Sequence, residues 1–153
     1  MQVLIMRGID QLVGGRYKIM PNWCSNRVYI DGSQEELDRF DDYVGTEKAR
    51  FQLNKIIPMP ENIYQGDLGE KEKRKYGDKN WYDWSVQHWG TKWEIDPLSI
   101  EIEDSGPEEV TYSFETAWGP PFHIHNHLVK EFPKLNIEWY YRDEFEEEGE
   151  YLT

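Results

Sequence analysis

Apolar residues in this chain recur in two rhythms, a period of two over short stretches and a spacing of three to four over longer ones. The alternation between them predicts the elements. Residues 26–30 (NRVYI) form a β-type run closed by the turn signal Asp31-Gly32. Ser33 follows as a helix N-cap with Glu36 three residues on, the pattern of a capping box. Leu37, Phe40 and Val44 then recur at helical spacing up to Gly45, which predicts an amphipathic helix of about 11 residues. Residues 51–57 (FQLNKII) read as a strand ended by Pro58 and Pro60. Residues 62–79 are polar and mixed in charge, an exposed loop or irregular helix.

Residues 80–93 then hold four of the chain's seven Trp, at 81, 84, 89 and 93. Residues 98–103 (LSIEIE) alternate strictly, Ser105-Gly106-Pro107 marks a turn, and residues 110–118 (VTYSFETAW) continue as the second arm of a hairpin. Pro120-Pro121 suits the first turn of a helix whose apolar stripe is Ile124, Leu128, Phe132 and Leu135. Residues 136–141 (NIEWYY) form the last clear strand. The order is β-α-β-(insert)-β-β-α-β. With the Trp-rich insert set aside, it predicts an α+β domain of the ferredoxin-like, split βαβ kind: a four-stranded antiparallel sheet with two helices on one face.

A chain of 153 residues fits one such domain, here residues 20–153 with an acidic C-terminal end. Residues 1–19 read as a translated leader or disordered extension, because Gly14-Gly15-Arg16 can be encoded as a purine-rich ribosome-binding stretch spaced before Met20. The alternative is an added strand over residues 2–6. The single cysteine, Cys24, excludes an internal disulfide and suits a reducing cytoplasm. No apolar run approaches the ~20 residues that span a bilayer.

Charge changes the picture most. Thirty Asp and Glu stand against 17 Lys and Arg, a net of −13, so direct binding to duplex nucleic acid or to an anionic membrane is not expected. Six of the carboxylates crowd residues 143–150: Asp143, Glu144, Glu146, Glu147, Glu148 and Glu150. They form an acidic contact surface or a solvated tail.

Three phrases stand out beside this pattern: MPNWCSN from Met20, WGTKWE from Trp89 and FETAWGPP from Phe114. Together with the late FPKLNIEWYY from Phe132, they resemble the YubB ferredoxin-like family, which is borne mostly on plasmids and in phages. The likeness runs from about Met20 to Tyr141. It implies the ferredoxin-like fold, a mobile-element origin and Met20 as the natural start. The motif positions here are Asn22, Trp23, Cys24, Asn26, Trp89, Gly90, Thr91, Lys92, Trp93, Thr116, Ala117, Trp118 and Pro120. That family lends no catalytic role to any of them. After Tyr141 the chain departs from the family pattern, with Arg142-Asp143-Glu144 leading into the acid-rich end.

The remaining candidates for chemistry are sparse. On a strand, His123, His125 and His127 would share one face, as a zinc site requires; on the helix expected here they are exposed, with His123 and His127 neighbours at i,i+4 and His125 pointing elsewhere. Cys24 reads as a small buried thiol before a strand rather than a nucleophile. No phosphate-binding glycine loop is present. Lys92 between Trp89 and Trp93 suits a cation–π arrangement. The candidate binding residues are therefore Asn22, Trp23, Trp89, Lys92, Trp93 and Trp118, with no catalytic residue, metal or cofactor expected. The sequence favours a small acidic phage or plasmid accessory protein acting through protein contacts in the bacterial cytoplasm. Its partner would be a host protein, such as a defence or nucleic-acid-handling factor engaged by nucleic-acid mimicry. The alternative is a ligand or single-stranded nucleic-acid binding module that uses an aromatic sheet face.

Overall fold

The computed structural model describes residues 9–13, 16–19 and 22–153, the first two stretches by their backbone alone. A strand over residues 2–6 lies outside the described residues. Strands β1 (Ile9–Val13) and β2 (Arg16–Ile19) pair antiparallel as a separate two-stranded sheet. Then come β3 (Trp23–Asp31), α1 (Gln34–Val44), α2 (Leu53–Ile56), α3 (Glu70–Tyr76) and α4 (Trp81–His88). After a short 3-10 turn at Pro97–Ser99 follow β4 (Glu101–Gly106), β5 (Glu109–Ala117), α5 (Phe122–Glu131), β6 (Asn136–Asp143) and β7 (Glu150–Tyr151).

The main sheet has the order β4-β5-β3-β6-β7 and is antiparallel throughout. Its first four members carry the order of a split βαβ domain, with α1 and α5 as the crossover helices. Five strands, not four, make the sheet, and the described residues hold five α-helices rather than the two expected. The fifth strand arises where the acidic run 143–150 turns back on itself instead of trailing off, with Glu146 N–H donating to Asp143 O (3.0 Å). A glycine is needed at 149, because a Cβ there would collide with the Tyr141 carbonyl.

One face of the sheet is buried under the helices. Cys24, Asn26, Val28 and Ile30 on β3 alternate with exposed or half-buried neighbours and point into the core; Val110, Tyr112, Phe114 and Thr116 on β5 share that face, and Thr111 and Ala117 beside them are buried as well. From above, α1 contributes Leu37, Phe40 and Val44, and α5 contributes Ile124 and Leu128. The largest wholly buried side chains are aromatic: Trp139, Tyr112, Phe40, Phe51 and Phe132. Phe51 lies 4.7 Å from the Phe114 ring and meets Trp139 edge-on at 5.9 Å. Such pairs add ~0.5–1.5 kcal/mol each beyond burial, so much of the aromatic content serves the core.

Two sequence expectations change here. Residues 51–57 are not a strand; after Phe51 they form the short helix α2. The Glu94 carboxylate, brought in from a distant loop, accepts the N–H groups of Leu53 and Asn54 at 2.7 Å each. That satisfies the first donors of the helix, a tertiary cap that no local pattern reveals. The capping box on α1 is half formed. Ser33 Oγ accepts from Glu36 N–H (3.3 Å), but the Glu36 side chain holds Arg39 instead of reaching back. Among the described residues, no helix is long and apolar enough to cross a membrane.

Candidate functional site

Three stretches converge at one end of the sheet. The first begins at α4, whose N-cap Asn80 accepts from Asp83 N–H (2.9 Å) and fixes the helix start. Trp89 closes the helix, its indole N–H donating to Ile57 O (2.8 Å), and it is only 4% exposed. Gly90 then turns the chain at a φ of 90°. Thr91 Oγ1 donates to Ala117 O (2.7 Å), which ties this loop to the end of β5.

The second stretch is that end of β5. Trp118 takes a positive φ of 70°, rare for a bulky residue. Its N–H donates to Asn22 O (2.7 Å), extending the β3–β5 ladder by one bond. Thr116 Oγ1 donates to Gly119 O (2.7 Å) and accepts from Asn26 Nδ2 (2.9 Å), while Asn26 Oδ1 accepts from the indole N–H of Trp139 (2.9 Å). This buried chain of polar contacts sets the shape of the Trp118 turn. The third stretch is the start of β3, where Trp23 lies 6.4 Å from Trp93, ring to ring.

Lys92 stands at the meeting point. Its Nζ is 4.5 Å from the Trp93 ring centre, 4.7 Å from that of Trp118 and 5.9 Å from that of Tyr82. Burial among these rings lowers the lysine's pKa. Among the described residues, no carboxylate makes an ion pair with it, although the chain has 30. Glu94, two positions on, keeps an exposed flank while its carboxylate end sits among backbone amides. Desolvation raises its pKa, and hydrogen bonds from Asn54, Ile95 and Leu53 oppose that rise.

Of the six aromatic-site residues read from the sequence, Asn22, Trp23, Lys92, Trp93 and Trp118 come together. Trp89 does not; it belongs to the core. Tyr82 was missed because it lies on a helix, ten positions before the lysine it faces. The acidic residues occupy the adjoining β6–β7 connection. Glu144 accepts from Trp23 N–H (3.2 Å), Glu150 accepts from Tyr141 OH (3.1 Å), and Glu146, Glu147 and Glu148 are exposed. Asp143 is half-buried, opposite Cys24 in the ladder.

A second acidic surface lies on the open side of the sheet, away from the helices. Strand alternation and register place Asp31, Glu101, Glu103, Glu109, Glu115 and Glu138 there, all exposed. Two cations, Arg27 and Arg142, share the face, and Arg27 reaches Glu103 at a loose 3.8 Å. Neighbouring strands lie ~4.8 Å apart and same-face residues ~6.7 Å apart along a strand, so these carboxylates form a lattice of closely spaced charge. In the sequence each was one acid among many; the strand register brings them to one side.

The histidines diverge. His125 is buried, not exposed as expected, because it lies one position after Ile124 on the inward side of α5; it meets Trp139 edge-on at 5.8 Å. His127 Nε2 bonds the Tyr43 hydroxyl (2.7 Å), and His123 leans on Phe122. Among the described residues, no group of three or more His, Cys, Asp or Glu is placed to hold a metal ion. Cys24 is fully buried, within β3 rather than before it. Burial above all, then the charge of Asp143, pushes its thiol pKa up to about 12. Its alkylation at neutral pH is therefore expected to run ~10³-fold slower in the native protein than after denaturation; rapid labelling of the native chain by iodoacetamide would show an accessible thiolate.

The architecture is that of a ferredoxin-like α+β domain, a five-stranded antiparallel sheet backed by helices. Residues 89–150 match the family model described as a ferredoxin-like domain in Api92-like protein, a span from the WGTKWE loop to the start of the last strand. The crystal structure of a protein api92 from Yersinia pseudotuberculosis has a similar fold, with a TM-score of 0.55 over 86% of this chain and 93% of that one. Sequence identity between the two is 10%, so the likeness is one of fold. No curated protein matches the chain significantly.

Proposed function

We propose that this protein is a small acidic accessory factor that binds a basic, nucleic-acid-handling host protein through the open face of its sheet. The observation that carries this reading is the arrangement of six exposed carboxylates against two arginines on that face. A duplex bears one charge per ~1.7 Å of axis; a rigid sheet carrying closely spaced carboxylates offers a groove built for phosphates a similar series of acceptors. The β6–β7 acids, from Glu144 to Glu150, extend the same sign of charge around one edge. The finer YubB likeness, with the Trp-rich stretch as an insert, adds a mobile-element setting and the bacterial cytoplasm. In that setting the bound factor is a host component, inhibited by the protein or sensing it. The role is one of contact rather than catalysis.

A single-strand binder working through the sheet face fits less well. Tyr29 and Tyr140 do lie on that face, yet each has a carboxylate neighbour: Tyr29 pairs with Glu138 across the ladder, and Glu138 precedes Tyr140 on the same side of β6. A phosphate backbone laid over these rings would meet like charge.

The test is retention of bacterial host proteins on the immobilised full chain at low and physiological salt, with duplex DNA as competitor. The expected result is a nucleic-acid-binding protein that DNA displaces. The combined substitution Glu101→Lys, Glu103→Lys and Glu115→Lys is expected to weaken its binding by about 100-fold, chiefly through slower association. Equal retention by this charge-reversed variant, or capture of RNA with no specific protein, would overturn the reading.

A further inference from the structure

The WGTKWE loop and its surroundings are not accounted for by an acidic contact face. Beside the Lys92 cluster lies a shallow cavity of about 310 Å³ whose walls include Trp81, Trp89 and Trp93, with Lys92, Glu94, Gln65 and Ser85 as the polar residues of its lining. A wider cleft of about 700 Å³ adjoins it and shares Met59, Gln65, Trp89 and Glu94. Volumes of this order suit small ligands.

The polar groups on that lining are specific. Lys92 is a cation held by indole faces, and among the described residues no carboxylate neutralises it. It is a ready partner for an anion in a molecule whose net charge otherwise repels one. Glu94 spends three of its roughly four acceptor positions on the amides of Leu53, Asn54 and Ile95. One position remains for an N–H donor. The indoles of Trp81 and Trp93 on the same lining offer flat apolar surface to a ring. We infer that this cavity binds a small planar ring that carries both an N–H donor and an anionic group, as in a nucleoside monophosphate: the ring against Trp81 and Trp93, the phosphate on Lys92 and the exocyclic amine on Glu94.

Calorimetry on the full chain tests this with adenosine 5′-monophosphate as the probe, adenosine as the ring without its anion, and inorganic phosphate as the anion without its ring. The monophosphate is expected to bind saturably, with shifts in the indole N–H resonances of Trp81 and Trp93. Adenosine and phosphate are expected to bind about tenfold or more weakly. Lys92→Met should erase the preference for the monophosphate over adenosine, and Lys92→Arg should retain most of it. The comparison of the three probes on the unmodified protein stands even if Lys92→Met unfolds. Absence of saturable binding by the monophosphate, equal affinity for adenosine, or an unchanged preference in folded Lys92→Met would each overturn the site. Tighter binding of a 5′-phosphorylated oligonucleotide would overturn the assignment to a free small molecule.

Discussion

Replacing Asn26 by leucine is expected to lower stability by about 3–5 kcal/mol, although the two side chains are close in size. Asn26 is 1% exposed. Its amide donates to Cys24 O (3.1 Å) and to Thr116 Oγ1 (2.9 Å), and its carbonyl accepts the Trp139 indole N–H (2.9 Å). Leucine removes all three bonds and leaves the N–H of a fully buried indole without that acceptor. Each buried group so stranded costs ~1–3 kcal/mol, more than the bond itself contributes on average. Urea denaturation should show a lower midpoint with an unchanged slope. Trp139→Phe removes the stranded donor, so in a double-mutant cycle the pair should couple by about 1–3 kcal/mol. A loss under ~1 kcal/mol, with no coupling, would mean that the polar chain does not hold the Trp118 turn.

The same residue shows how far the sequence carries. Within NRVYI the alternation identified a strand, and Asn26 sits on its inward side, where asparagine is out of place unless partnered. Its two side-chain partners lie 90 and 113 positions away, so they follow from the fold and not from any local pattern. The fold class was readable because its signals are local: period two in β3, β4, β5 and β6, helical spacing in α1 and α5, and proline before α5. The helix α2 was not, because its cap is supplied by Glu94 across 41 positions. Nor was β7, whose residues carry no strand pattern and pair only because a tight turn returns them to β6. Of the site, the Trp and Lys residues were visible as phrases, but the removal of Trp89 to the core and the arrival of Tyr82 depend on how α4 packs. The acidic lattice was hidden for a different reason. Composition gives the number of charges, whereas their side of the sheet depends on strand register.

Gly90→Ala is expected to cost about 2–4 kcal/mol and to disrupt the aromatic site with it. Two effects combine at this position. The φ of 90° is one that L side chains rarely adopt, with a penalty of ~1–3 kcal/mol. A Cβ would also stand 2.9 Å from Phe122 Cδ1 and 3.0 Å from the Phe122 backbone nitrogen. The ring can swing aside, but the backbone nitrogen cannot move without shifting the start of α5. That would pull Thr91 from Ala117 and withdraw Lys92 from Trp118, so the indole fluorescence of the folded variant should change along with its melting temperature. Gly77 provides the control that separates the two effects. Its φ is 60°, and a Cβ there would meet nothing within 4 Å. Gly77→Ala should therefore cost only the conformational part, about 1–3 kcal/mol, and leave the indole signal untouched. Equal losses in the two variants would mean that Phe122 yields freely and that the loop's glycine answers to backbone conformation alone. A larger loss at Gly90, accompanied by the fluorescence change, would tie the close approach of the WGTKWE loop and α5 to the placement of Lys92.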